Sequence, residues 1–178
     1  MRSRYLVALL ALLAAPAAAR AQAPIQLAFF PPAQLVPEDQ AVSGVRLSVY
    51  GRNAAMSGLD LGVVTHTTGN ASALQVAVVN VVEGDFLGVQ LGWGLGGALA
   101  NITLGHMQGF QLGLYNGAGS AEGMQWGLVN HTEGRMQGFQ LSLVNIAEDF
   151  YGVQVGLVNI IRSKDRFPVL PLVNWKFD

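Results

Sequence analysis

Cysteine is absent from this 178-residue chain, which excludes disulfide frameworks and thiolate metal sites. Charge is scarce: only 12% of residues are Asp, Glu, Lys or Arg, about half of the roughly 25% usual in soluble domains. With 10 basic and 11 acidic residues, the formal net charge of -1 gives no basic patch for nucleic acid. The chain is long enough for one domain with a real core. At 51% hydrophobic residues it must hide apolar surface in a core, a partner or a lipid phase.

What is present is repetition. GFQLGLYN at Gly109–Asn116 recurs as GMQWGLVN at Gly123–Asn130, GFQLSLVN at Gly138–Asn145 and GVQVGLVN at Gly152–Asn159. Looser copies are GLDLGVVT at Gly58–Thr65, ALQVAVVN at Ala73–Asn80 and GVQLGWGL at Gly88–Leu95. The central polar residue marks each copy: Asp60, Gln75, Gln90, Gln111, Gln125, Gln140 and Gln154, at steps of 15, 15, 21, 14, 15 and 14. Arg46, in GVRLSVYG, lies 14 residues before Asp60 and is a degenerate first copy. A unit of this size holds one strand and a short turn, and the 22 glycines of the chain are hostile to helices. MQGFQL occurs at Met107–Leu112 and again at Met136–Leu141, 29 residues apart, so alternate units resemble each other most. That superperiod suits a duplicated β-hairpin or a two-strand solenoid coil.

The strand period of two divides each unit between two faces. In GFQLGLYN one face receives Phe110, Leu112 and Leu114; the other receives Gly109, Gln111, Gly113 and Tyr115. Across the copies the first face is apolar throughout, including Leu74, Val76, Trp93, Met124, Trp126, Phe139, Leu141, Val153 and Leu157. It predicts a surface for core or lipid. Charges such as Glu83, Asp85, Glu133, Arg135, Glu148 and Asp149 fall in the connections. The seven markers from Asp60 to Gln154 are expected to stack as a structural ladder of amide side chains that pins strand register. The Asn that ends most units is expected to cap its turn.

The flanks differ. Residues 1–21 read as a signal peptide, with Arg2 and Arg4 before an apolar run and Ala19-Arg20-Ala21 as the cleavage site. Residues 22–41 form a proline-rich segment, expected to lie extended against the repeats through Phe29 and Phe30. Residues 42–178 form the β-repeat domain, with Gly92–Gln108 as its longest loop or a bulged strand. The end, FPVLPLVNWKFD, predicts a final edge strand beyond Pro171.

No motif carries chemistry. Gly92-x-Gly94-x-x-Gly97 has the spacing of a dinucleotide loop but no following helical pattern. His66, His106 and His131 are far apart and fall in expected turns, so no metal or other cofactor is implied and no catalytic residue is assigned. Asn70, Asn101 and Asn130 begin glycosylation sequons but read as turn residues.

Together the repeat G-x-Q-x-G-L-x-N, the stretch GVRLSVYGRN…SGLDLGVV and the close PVLPLVNWKF resemble the bacterial surface-repeat-containing protein family, from about Pro31 to Phe177. The resemblance implies export and a surface or outer-membrane setting, and no enzyme activity. The fold expected is all-β: a repeat-built meander of about 8–10 strands closing into a small β-barrel, or alternatively a β-solenoid with the apolar face as its core. A seven-residue apolar band tilted near 45° spans only about 16 Å, short of the ~25 Å of membrane barrels. The function expected is non-catalytic, structural or interactive, with outer-membrane lipid or a surface partner. A secreted solenoid adhesin and an exported enzyme without a recognisable motif are the alternatives.

Overall fold

The computed structural model describes residues 22–92 and 99–178. Residues 1–21, expected as a signal peptide, and Trp93, Gly94 and Gly97 lie outside the described residues. Within them the chain is all β, without a helix, and it winds into a β-solenoid of about eight coils. The barrel and the antiparallel meander are thereby corrected. Strands β3 (Ala41–Asn53), β4 (Ala55–Thr67), β8 (Ala100–Leu112), β9 (Tyr115–Trp126), β10 (Val129–Leu141) and β11 (Val144–Ile161) run through successive coils. Coils three and four are built from β5 (Ala71–Ala77), β6 (Val79–Val82) and β7 (Phe86–Gly92). Every pairing between these strands is parallel. Antiparallel pairs occur only at the ends, where β1 (Ala23–Phe30) meets β2 (Ala33–Gln34) and β11 meets β12 (Val169–Lys176).

The correction has a simple cause. A 14- or 15-residue unit is a whole turn of the solenoid and not half of a hairpin. Gly109–Leu112 forms one flat side of a coil, Tyr115–Ala118 forms the other, and corners near Leu114 and Gly119 join them. Parallel stacking then sets like on like: Gln111 lies beside Gln125, and Asn116 beside Asn130. The 21-residue step keeps that register, since Gln90 pairs with Gln111 and Asn80 with Asn101. Its extra residues fall between Gly92 and Leu99, outside the described residues.

Glycine is required where coils meet most closely. Gly109 and Gly123 hold φ of 129° and 128°, a conformation that L side chains rarely adopt. A Cβ on Gly123 would also land on the carbonyl oxygen of Gly109, one coil below. The 29-residue superperiod has its counterpart in a buried apolar column, where Ala121 stands between Met107 and Met136 and Phe150 follows. Small Ala121 leaves room for the large side chains of the coils on either side of it, as close packing favours, whereas Met136 and Phe150 are both large.

The proline-rich segment is part of the solenoid. β1 pairs in parallel with β3 and places Gln26 beside Arg46, while Phe29 and Phe30 project outward instead of packing on the repeats. At the other end β12 forms the expected edge strand.

Candidate functional site

The interior is where the polar side chains went. Asp60, Gln75, Gln90, Gln111, Gln125, Gln140 and Gln154 form one column, each fully buried. Every amide Nε2 donates to the carbonyl oxygen of the preceding coil: Gln90 to Gln75 at 2.8 Å, Gln111 to Gln90 at 2.7 Å, Gln125 to Gln111 at 2.7 Å. Gln140 donates to Gln125 at 2.6 Å and Gln154 to Gln140 at 2.8 Å. The first of the series, Gln75, donates to Asp60 Oδ2 at 2.8 Å.

Asp60 is therefore the acceptor that starts the column, and its charge is met by Arg46. The guanidinium binds the carboxylate through two bonds, Nε to Oδ1 at 2.7 Å and Nη2 to Oδ2 at 2.6 Å. Neither side chain is exposed. Arg46 Nη1 also donates to the His66 carbonyl at 3.0 Å, and Nη2 to Thr67 Oγ1 at 3.2 Å. At the far end Gln154 Oε1 is buried without a partner, because the next strand is antiparallel and brings Asn174 there in place of another Gln.

A second column went unread in the sequence. Asn80, Asn101, Asn116, Asn130, Asn145 and Asn159 are all fully buried. Their amides donate in the opposite sense, toward the following coil: Asn101 to Asn116 at 2.8 Å, Asn116 to Asn130 at 2.9 Å, Asn130 to Asn145 at 2.9 Å. Thr65 starts this column by donating its hydroxyl to Asn80 Oδ1 at 2.7 Å. Each Asn also serves a corner carbonyl, as Asn116 does for Trp126 O at 2.9 Å and Asn145 for Val155 O at 2.9 Å. The expected turn caps are thus interior rungs as well. The signal was available: Asn recurs five residues after Gln in five copies, and Thr65 follows Asp60 at the same spacing.

With the amides inside, the apolar face points out. Gln125 is 0% exposed, while its neighbour Trp126 is 49% exposed. The apolar face assigned to the core of a solenoid is therefore its exterior, and this too is a correction. The surface is apolar on one flat side, along one corner and on the adjoining half of the opposite side, whose other half carries Arg52, His66 and His131. One flat side carries residues such as Phe110, Leu112, Met124 and Trp126, and the opposite side carries Val64, Val129 and Val144. The corner between them is a ridge of Val49, Val63, Val78, Leu99, Leu114, Leu128, Leu143 and Leu157. Most of the charge lies along the opposite corner.

The remaining candidates separate. His66, His106 and His131 sit in β4, β8 and β10 and not in turns. Their ring nitrogens meet Glu83 and Tyr50, Ser120, and Tyr115 respectively. No group of three His, Cys, Asp or Glu side chains among the described residues is placed to hold a metal ion. Asn101 and Asn130 are buried within their column, and exposed Asn70 accepts the Asp85 amide at 2.9 Å. On the charged corner Asp149 accepts from Lys176 Nζ at 2.8 Å and Ser163 Oγ at 2.7 Å. Those two bonds, led by Lys176, lower its pKa to about 2.

The structure thus assembles two amide columns, satisfied except at Gln154 Oε1, under an apolar skin; the one His–Ser pair among the described residues is His106 Nδ1 with Ser120 Oγ, 2.8 Å apart. No family model, no curated protein and no solved structure matches this chain.

Proposed function

We propose that this chain is an exported, non-catalytic surface protein of the bacterial outer membrane or cell surface, a β-solenoid whose outer faces associate with another apolar phase. One observation carries the reading: the Gln and Asn side chains are turned inward and bond one another from coil to coil, while the large apolar side chains beside them in the repeat, such as Trp126, Leu128 and Leu143, are turned out. Monomeric soluble proteins rarely expose a contiguous apolar patch beyond a few hundred Å², and this one continues around a ridge from one flat side onto the adjoining half of the other. The signal-peptide pattern of residues 1–21 and the resemblance to the bacterial surface-repeat-containing family support export.

A secreted adhesin or binding module is the second reading, favoured by the open solenoid itself, since stacked coils present long regular surfaces. Cell fractionation separates the two. The chain is expected in the membrane pellet after carbonate washing, with Gln22 as its first residue by N-terminal sequencing. Recovery of the bulk of the chain in the culture medium would support the secreted module instead.

A further inference from the structure

We infer that the solenoid lies edge-on in a single lipid leaflet, its apolar ridge among the acyl chains and its charged corner among the headgroups. The inference rests on the surface-association reading above and names the phase that covers the apolar faces.

Three features favour lipid over a second copy of the chain. The first is coverage. One flat side, about eight coils at ~4.8 Å by five residues at ~3.3 Å, offers roughly 650 Å², within the roughly 600–1,000 Å² per partner of a standard interface. A dimer through that side would leave the ridge and the adjoining half of the opposite side in water. Lipid covers all three together.

The second is depth. From Gly109 on the flat side to Leu114 on the ridge is five residues, about 16 Å of extended strand. A hydrocarbon core of ~30 Å has leaflets of about 15 Å. The band that is too short to span a bilayer matches half of one.

The third is the backbone of the ridge itself. Chain corners normally rely on water for their polar groups, and acyl chains offer none. Here Leu128 N donates to Leu114 O at 2.9 Å, Val144 N to Leu128 O at 3.0 Å and Val158 N to Leu143 O at 3.0 Å. The Asn column takes up further carbonyls from within. The ridge is apolar in its side chains and hydrogen-bonded along its main chain.

The charged corner gives the headgroup side its character. It carries Glu83, Asp85, Glu133, Glu148 and Asp149, and its cations Arg135, Arg162 and Lys176 are paired with Asp149, Glu148 and Asp149, so attraction to anionic lipid is not the driving force. Neutral phosphatidylcholine vesicles are therefore the appropriate probe, and added phosphatidylglycerol is expected not to strengthen binding.

The test uses the full chain, with residues 1–21 treated identically in every sample. Trp93→Phe and Trp175→Phe leave Trp126, beside the ridge, as the reporter. On adding phosphatidylcholine vesicles its emission should shift to the blue and be quenched by bromines placed on the acyl chains. A second reporter replaces it through Trp126→Phe with Gln137→Trp, near the charged corner. That reporter should stay accessible to aqueous iodide. Leu128→Arg with Leu143→Arg should lower vesicle binding at least tenfold while leaving the circular dichroism of the outward-facing ridge variant unchanged. Equal acyl-chain quenching of both reporters would overturn the edge-on placement. A dimer in solution that ignores vesicles would overturn the lipid inference and leave the association reading standing. A monomer that ignores vesicles would remove both.

Discussion

At the scale of single residues, the neutral amide column is anchored by a charge pair. Asp60 accepts from Arg46 on one side and Gln75 on the other, in a place with no solvent. A buried ion pair is costly to desolvate, and removing one partner is costlier because the other charge is left uncompensated. Asp60→Asn should therefore destabilise the fold by about 3–5 kcal/mol in urea unfolding. Arg46→Gln together with Asp60→Gln removes both charges and continues the amide series. It should recover at least half of that loss. Recovery of less than a quarter would mean that the Arg46 bonds to His66 and Thr67 matter more than charge balance. The sequence disclosed Asp60 as the odd member of the series, and Arg46 lies one step earlier. Alternation by two shows that two faces differ, but not which one points inward. The usual rule places apolar side chains inside. Here a column in which every amide finds a partner one coil away removes the penalty that would have kept Gln outside.

The elements divide the labour between coils and ends. Repeat strands pair only in parallel, and the last is closed by antiparallel β12, held in part by the bond from Lys176 to Asp149. The Asp149 pKa is depressed from an ordinary 3.8 to about 2. A depressed carboxylate stabilises the fold above its unfolded pKa, and this contribution is lost as pH falls through the folded value. The grip on β12 should therefore weaken between pH 4 and pH 2, by at most about 1 kcal/mol because the pair is partly solvated. Faster amide exchange in β12 than in β10 at pH 2, relative to pH 6, is the expected sign. Asp149→Asn should abolish the difference. Strand existence was legible from Val, Leu and Gly spacing. Strand direction was not, because a hairpin pair and a solenoid turn leave the same 29-residue trace. The second flat side, Tyr115–Ala118, was hidden in what read as a turn.

For the whole molecule, each coil touches mainly its two neighbours, so stability is close to a sum over coils and their interfaces. Deleting Gly123–Gln137, one full coil of 15 residues, brings Gly138 and Gln140 onto Gly109 and Gln111 with all columns intact. The shortened chain should fold with the same β spectrum and a modestly lower Tm. Deleting only Gly123–Val129 would set Asn130 where Gly123 stood and misalign both amide columns. That chain should not fold, as measured by circular dichroism and proteolysis. A half-coil deletion that folded as well as the full-coil deletion would show that the columns do not enforce register.

The opposed hydrogen-bond directions of the two amide columns have an electrical consequence. Gln donors face the start of the chain and Asn donors face its end. Each regular coil thus adds two amide dipoles of opposite sense along the axis. An α-helix aligns its peptide dipoles and bears a partial charge at each tip; this rod adds almost none however long it grows. A coil can be duplicated or lost without changing the field at either end, and a lineage of such proteins is electrically free to vary its length.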